Sequence, residues 1–201
     1  MSATTIHIAA LNTLADWEIG YLTAHINGVH HDGGYEIRLV GLRSEPVTTM
    51  GGLRLTPDVV ITDLQPDDSA LLILPGADTW GDTQTEPFVD AAQAFLEAGT
   101  PVAAICGATF ALATAGLLDH RPHTSNDPSF LASSGYAGAD HYLTEPAVID
   151  GDLITASGVA PVHFARAIFE RLGTYPPRAL ASWFKLYAHR DPAGFYELMS
   201  A

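Results

Sequence analysis

The sequence predicts an α/β fold, a three-layer sandwich in which a mostly parallel sheet carries helices on both faces. Short apolar runs alternate along the chain with longer stretches in which apolar and polar residues mix at helical spacing. The runs 71–74 and 102–105 are apolar at every position, which is typical of strands covered on both faces. The chain has 201 residues, of which 47% are hydrophobic, enough for one large core. We therefore expect a single domain over residues 1–201.

The first half of the chain supplies most of the predicted sheet. Glycines, prolines and turn signals mark the limits of its elements. The predicted elements are a strand at 6–11, a helix at 16–30, a strand at 35–40, a hairpin within 47–55, a short strand at 59–61, a buried strand at 71–74 and a helix at 86–98. Pro87 near the start of the last helix and Gly99 beyond its end follow the usual asymmetry of helix termini.

The second half is less regular but continues the alternation. It is predicted to contain a strand at 102–105, a helix of small residues after Cys106, a helix start at 126–131, a hairpin over 147–155, and helices at 160–172, 177–187 and 192–198. In parallel sheets, sites lie beyond the carboxyl ends of the strands. Cys106 and Gly76 each follow such an end, so we expect the site there.

Composition excludes several classes of partner and suggests a compartment. The net charge is −14, with only nine Lys and Arg residues, which argues against binding to nucleic acid or to an anionic membrane surface. The N-terminus lacks a basic segment followed by a long apolar run, so no signal peptide is predicted, and no run approaches the roughly 18 apolar residues of a membrane span. A single cysteine fits a reducing compartment, and we expect a cytoplasmic protein.

Cys106 is the candidate nucleophile. It stands between an apolar run and a stretch of small residues, at a predicted strand-to-helix corner, where a tight turn exposes a side chain above the sheet edge. Free N–H groups at a helix N-terminus favour the thiolate over the thiol. Gly107 allows close approach of a ligand to the backbone. The alternative to a nucleophile is that Cys106 is a small buried hydrophobic residue with no chemical role.

Glu18 is the first candidate partner of the thiol. It lies in the first turn of the helix predicted after the first strand, next to Trp17. In a partly dry site the pKa of its carboxyl group would rise, and the protonated group could donate a hydrogen bond to the thiolate without adding a like charge. The alternative is an acidic residue that complements the helix dipole. Asp16 is the competing carboxylate, although its position favours an N-cap.

Two further predictions complete the candidate site. The Pro75–Gly76 turn follows a buried strand, and the N–H groups of Gly76 and Gly107 are candidate oxyanion-hole donors; the alternative is an ordinary strand-to-helix turn. His123, in a polar loop, is a candidate general acid or base, although a structural role is the commoner one for a histidine. No histidine shows metal-ligand spacing, and no glycine-rich nucleotide motif is present, so no metal or cofactor is predicted.

Taken together, these motifs resemble the ThiJ/PfpI family, the DJ-1-like proteins of the class I glutamine amidotransferase-like superfamily, whose fold is flavodoxin-like. The matching stretches, in order, are 16–18, 72–77, 104–108, 115–118, 123–126 and 153–158. The resemblance implies that Cys106 is the nucleophile at the elbow and that Glu18 is its carboxyl partner. It implies Gly76 and Gly107 as oxyanion donors less directly, and it implies a homodimer.

The chain also departs from two branches of that family. Gly107 stands where the protease-like branch has a histidine, and no late H-x-E element is evident, so a Cys-His protease and a glutamine amidotransferase both fit poorly. His123 is then the best remaining third residue. We expect a cysteine-dependent enzyme that acts on a small electrophile. Its activity would be of the hydrolase, hydratase or glyoxalase type, and amide hydrolysis is included. The alternatives are a redox-sensing or stress protein with an oxidisable cysteine, and an oligomeric scaffold whose cysteine is inert.

Overall fold

The computed structural model describes residues 4–26 and 34–200. Within these residues, seven strands form one sheet in the order β5-β2-β1-β6-β7-β9-β8. All neighbours in this sheet are parallel except β8, which runs antiparallel to β9 at one edge. The strands are β1 (Thr5–Ala10), β2 (Glu36–Gly41), β5 (Val59–Val60), β6 (Leu71–Leu74), β7 (Val102–Ile105), β8 (Ala147–Asp150) and β9 (Leu153–Ala156), while β3 (Val47–Thr48) and β4 (Arg54–Leu55) form a separate hairpin.

Helices cover both faces of this sheet. They are α1 (Asp16–Ile26), α2 (Glu86–Glu97), α3 (Gly107–Thr114), α4 (Pro128–Ala132), α5 (Pro161–Leu172), α6 (Pro177–Tyr187) and α7 (Ala193–Met199). One buried cluster joins the sheet to α1, α5 and α6, and it includes Ile8, Ile73 and Phe164. The other joins the opposite face to α2 and α3, and it includes Leu74 and Phe88. The predicted three-layer α/β fold with a mostly parallel sheet is confirmed.

Alternation along each strand explains the two clusters. Successive side chains of a strand point to opposite faces, and in β6 Leu72 and Leu74 belong to one cluster while Leu71 and Ile73 belong to the other. Every residue of β6 and β7 is buried, as expected for central parallel strands. These two rigid strands carry the turns that hold Gly76 and Cys106.

The sheet topology brings the carboxyl ends of three central strands together. The strand order changes direction between β1 and β6, because β1 connects through α1 to β2 on one side while β6 leads to β7 on the other. The carboxyl ends of β6, β7 and β9 therefore stand side by side, followed by Gly76, Cys106 and Gly158. Glu18 lies in the first turn of α1, above the same edge.

Most predicted elements lie within a residue or two of those observed. The hairpin within 47–55 is present, with only two residues in each strand. Ile61, predicted in a strand, instead begins a 3₁₀ turn, Ile61–Asp63. The predicted helix at 16–30 is described as far as Ile26, and its residues 27–30 lie outside the described part of the chain. None of the described helices combines the length and the apolar character that crossing a bilayer requires.

Candidate active site

Cys106 forms the corner between β7 and α3. Its backbone has φ +59° and ψ −124°, a conformation that costs a non-glycine residue about 1–3 kcal/mol. Hydrogen bonds hold the corner: the Cys106 N–H donates to the Ala156 carbonyl at 3.0 Å, and the Thr109 N–H and hydroxyl donate to the Cys106 carbonyl at 3.1 and 2.6 Å. The side chain is half-buried. The predicted strand-to-helix elbow is therefore present, and its strain is maintained by neighbouring strands and helix.

Glu18 lies against Cys106 and is completely buried. Its Oε2 accepts a hydrogen bond of 2.5 Å from the Gly76 N–H. A Cβ atom at Gly76 would lie 2.7 Å from both carboxyl oxygens and 2.8 Å from the Cys106 Cβ, so only glycine fits between them. Among the described residues, Oε1 has no hydrogen-bond partner other than the thiol it faces. A proton on Oε1 would therefore be directed at the sulfur.

The ionisation of Cys106 and Glu18 is coupled. Burial raises the pKa of Glu18, and the hydrogen bonds from Gly76 and the thiol only partly oppose this effect. Burial also raises the pKa of the Cys106 thiol, and a charged Glu18 raises it further, whereas hydrogen bonds from Asn126 and the Gly107 N–H lower it. Burial of the thiol thus opposes the stabilisation of the thiolate that is expected from the helix N-terminus. Two adjacent anions are disfavoured, so ionisation of either group opposes ionisation of the other.

Asn126 is the residue that the sequence argument missed. Its Nδ2 donates to the Cys106 Sγ at 3.3 Å, while its Oδ1 accepts from the Gly158 N–H at 2.8 Å. Gly158 closes the other side, because a Cβ atom there would lie 2.7 Å from Sγ. Its sequence signal was its place in the polar run 123–126, which resembles the family, but within that run only His123 was assigned a chemical role.

The two predicted oxyanion donors differ in their availability. The Gly76 N–H already donates to Glu18, so the structure does not offer it as a free donor, and this part of the prediction is corrected. The Gly107 N–H faces the Cys106 side chain instead and helps to stabilise its thiolate. A Cβ atom at Gly107 would lie 3.1 Å from both the Ala77 carbonyl oxygen and the Trp80 ring, which explains the glycine.

His123 is buried in a different set of contacts. Its Nδ1 lies 2.8 Å from the Arg121 carbonyl oxygen and its Nε2 lies 3.1 Å from the Tyr136 hydroxyl. Its ring also packs edge-on against Tyr136 and Tyr142. Burial lowers the pKa of His123, which favours the neutral ring. With both ring nitrogens engaged away from Cys106, His123 is corrected to a structural residue, and Asn126 occupies the third position at the sulfur.

Trp17, Val159 and Asp16 border the site, and this region is called its mouth. The Trp17 ring is 51% exposed, yet its Nε1 donates to the Gly158 carbonyl at 3.0 Å. Val159 is 92% exposed beside it. Asp16 anchors the β3–β4 hairpin to the start of α1, accepting from the Thr49 hydroxyl and the Gly51 N–H, each at 2.6 Å.

Within residues 4–26 and 34–200, no group of three or more His, Cys, Asp or Glu side chains is arranged to hold a metal ion. The groups that the structure brings together at the site are Cys106, Glu18 and Asn126, with the glycine backbone around them. A cysteine sulfur, one buried acid and one fixed amide donor suit nucleophilic addition followed by proton transfer.

Known proteins and a solved structure are similar to this chain over most of its length. The chain is 37% identical over 206 residues to "Uncharacterized protease YoaZ" of Bacillus subtilis, covering 100% of this chain and 98% of that protein. It is 27% identical over 145 residues to "Glutathione-independent glyoxalase DJR-1.2" of Caenorhabditis elegans, covering 70% of this chain and 75% of that one. A crystal structure of a thiJ/pfpI family protein from Bacillus anthracis superposes with a TM-score of 0.92 at 39% identity, covering 100% and 97% of the two chains.

The sequence profile of the DJ-1/PfpI family matches residues 4–171, a range that contains the whole elbow, both of its partners and the glycines that surround them. The resemblance inferred from the sequence motifs is confirmed. This chain belongs to the DJ-1/PfpI family.

Proposed function

We propose that this chain is an enzyme in which the Cys106 sulfur adds covalently to a small electrophilic carbon. One observation supports this most directly: the sulfur stands on a strained elbow between a buried carboxyl group and a fixed amide donor. Strain of this kind persists where the surrounding structure enforces it, and it clusters at active sites. Names of relatives, a protease and a glyoxalase, are consistent with chemistry at this cysteine.

The proposed substrate is a 2-oxoaldehyde or a similar small carbonyl compound. The thiolate forms a bond to the aldehyde carbon, the carbonyl π electrons move to its oxygen, and Glu18 protonates that oxygen. Glu18, now a carboxylate, removes the hydrogen on the same carbon, which gives an enediolate. The proton of the first oxygen passes to the oxygen of the neighbouring carbon, and Glu18 returns its proton to that neighbouring carbon, which gives a thioester. Water then cleaves the thioester, releasing a 2-hydroxy acid and the thiol. The net change is the addition of one water, so no oxidant or reductant is consumed.

The position of His123 argues against peptide hydrolysis as the principal reaction. A cysteine protease needs a base that activates the thiol and then protonates the departing amine. Here both ring nitrogens of His123 are engaged with Arg121 and Tyr136, and Gly107 follows the cysteine. A hemithioacetal route has no departing amine, and a single carboxyl group can carry each of its proton transfers.

The test is turnover of methylglyoxal, with isonitriles and small amides as competing substrate classes. We expect lactate from methylglyoxal in the wild-type protein, no turnover by Cys106→Ala, and a loss of about 10²-fold or more in Glu18→Gln. Thr114→Ala, an exposed change in the same helix as the elbow, serves as the matched control and should leave the rate unchanged. Wild-type activity in Cys106→Ala, or no turnover of any class, would contradict the proposal.

A second function is the sensing of oxidants without turnover, and the groups on either side of the sulfur favour it. Cys106 is half-buried, and the Glu18 carboxyl and Asn126 amide flank it as donors for the oxygens of a sulfinic acid. Mass spectrometry after treatment with less than one equivalent of peroxide tests this function. An increase of two oxygen atoms on Cys106, combined with no turnover of any substrate, would select the sensor over the enzyme.

A further inference from the structure

The geometry points to Asn126 as a catalytic residue of the site proposed above: a neutral donor of fixed orientation that stabilises the Cys106 thiolate and leaves every proton transfer to Glu18. The inference rests on the proposed function, since it assigns a role within that reaction. It also makes a claim about the thiol that does not require any substrate, and that claim can be tested separately.

The orientation of the Asn126 amide follows from its second hydrogen bond. The Gly158 N–H can only donate, so the amide atom 2.8 Å away from it must be the oxygen. The other end, Nδ2, is then the atom that lies 3.3 Å from the Cys106 Sγ. A flipped amide would place an N–H against an N–H at Gly158 and a lone pair against an anionic sulfur. The backbone thus sets which end of Asn126 meets the sulfur.

Gly158 is itself held in position. Its carbonyl accepts from the Trp17 Nε1 at 3.0 Å, and a side chain at this position would collide with the sulfur and lie 3.0 Å from Glu18 Oε1. The peptide that orients Asn126 is therefore packed against both members of the Cys106–Glu18 pair. The turn after β9 therefore orients Asn126 and also packs against the sulfur and the carboxyl group of Glu18.

The groups that surround the sulfur include one ionisable side chain. From α1 the Glu18 carboxyl faces it; the turns after β6, β7 and β9 present Gly76, Gly107 and Gly158; and the loop before α4 presents the Asn126 amide. Of these described neighbours, only Glu18 titrates. An amide cannot accept the thiol proton, so Asn126 lowers the free energy of the thiolate without competing with Glu18 for protons.

The experiment is a pH titration of thiol alkylation by iodoacetamide in the full chain. Asn126→Asp keeps the shape and the acceptor for Gly158 but replaces the donor with an anion. We expect its alkylation midpoint to rise by about one pH unit or more, with a tenfold or greater loss of rate at pH 7. Asn126→Ala removes the donor without adding charge and should shift the midpoint in the same direction by less.

Asn12→Asp is the matched control, since it makes the same substitution at an asparagine that bonds to Thr48 and not to the sulfur. Its midpoint should equal that of the wild type. An unchanged midpoint in Asn126→Asp would overturn the inference, and if that variant fails to fold, Asn126→Ala decides by the same criterion. Because alkylation needs no substrate, an absence of turnover would count against the proposed function while this titration still tests Asn126.

Discussion

Glu18 and Gly76, which are 58 residues apart in the sequence, share a hydrogen bond of 2.5 Å in the interior of the protein. This contact joins the first turn of α1 to the turn after β6, and it holds the carboxyl group beside Cys106. The carboxyl group would otherwise be a buried acid with both oxygens unpaired, which is strongly destabilising. The same contact therefore stabilises this edge of the sheet and positions the Glu18 carboxyl group beside the Cys106 thiol.

Gly76→Ala tests how closely these parts are packed. The added methyl group would lie 2.7 Å from both Glu18 oxygens, so the carboxyl group must move. We expect a loss of about 1–3 kcal/mol in the free energy of unfolding, together with altered reactivity of the Cys106 thiol. Urea denaturation and thiol alkylation measure the two effects. Gly20→Ala in α1 is the control, because a Cβ atom there meets nothing within 4 Å, and it should be neutral or stabilising.

The pH dependence of stability tests the state of Glu18. Burial raises its pKa above the ordinary value of 4.5, so the folded protein favours the protonated acid. Its contribution is fully present below the unfolded pKa, and it is lost as the pH rises through the folded pKa. We expect Glu18→Gln, made in a Cys106→Ala background to remove coupling, to gain stability relative to its parent as the pH rises above about 4.5.

Urea denaturation of the two proteins between pH 4 and 8 measures this difference. Free energies of unfolding that stay parallel across the range would show that Glu18 has the same pKa in both states. A control with Thr114→Ala, an exposed change that removes no titrating group, should follow its parent at every pH in the same background.

His123→Ala separates structure from catalysis. The substitution leaves a cavity and removes the partner of the Arg121 carbonyl and the Tyr136 hydroxyl, so we expect a loss of about 2–4 kcal/mol in stability. The folded fraction should retain the wild-type alkylation profile and turnover within a few-fold. A loss of 10²–10⁴-fold in turnover by folded protein would instead assign His123 an acid-base role.

Asp16 provides a test at the mouth of the site. Hydrogen bonds from Thr49 and Gly51 lower the pKa of its carboxyl group, so the stability that they confer is present above the unfolded value of 3.8 and is lost as the pH falls through the folded pKa. Asp16→Ala should cost about 1–2 kcal/mol and increase hydrogen exchange at the Gly51 amide. Asp16→Asn, which keeps an acceptor, should lose less; equal losses would show that the hydrogen bonds contribute little.

The fold was predictable because its signals are local. Apolar runs define β6 and β7, and turn residues mark the ends of most elements, so alternating strands and helices lead directly to a parallel sheet. Cys106 and Glu18 were predictable for a related reason, since each stands at a helix start that follows a strand end, and such positions converge at one edge of the sheet.

The remaining parts of the site depend on long-range contacts that leave no local signal. Asn126 meets the sulfur only because its amide bonds to Gly158, which is 32 residues further along the chain. His123 looked equally available in sequence, but its ring is enclosed by Tyr136 and Tyr142. The Gly76 N–H was assigned to a substrate oxygen because the sequence does not show that Glu18 would reach it first.

The positive φ of Cys106 also bears on how this site could be lost over time. Glycine adopts such backbone angles without strain, so a change from cysteine to glycine would relieve the corner while removing the sulfur. In a lineage where the reaction no longer mattered, that replacement would be favoured because it stabilises the fold. A cysteine that persists at this corner among descendants of this gene is therefore a sign that its reactivity is still under selection.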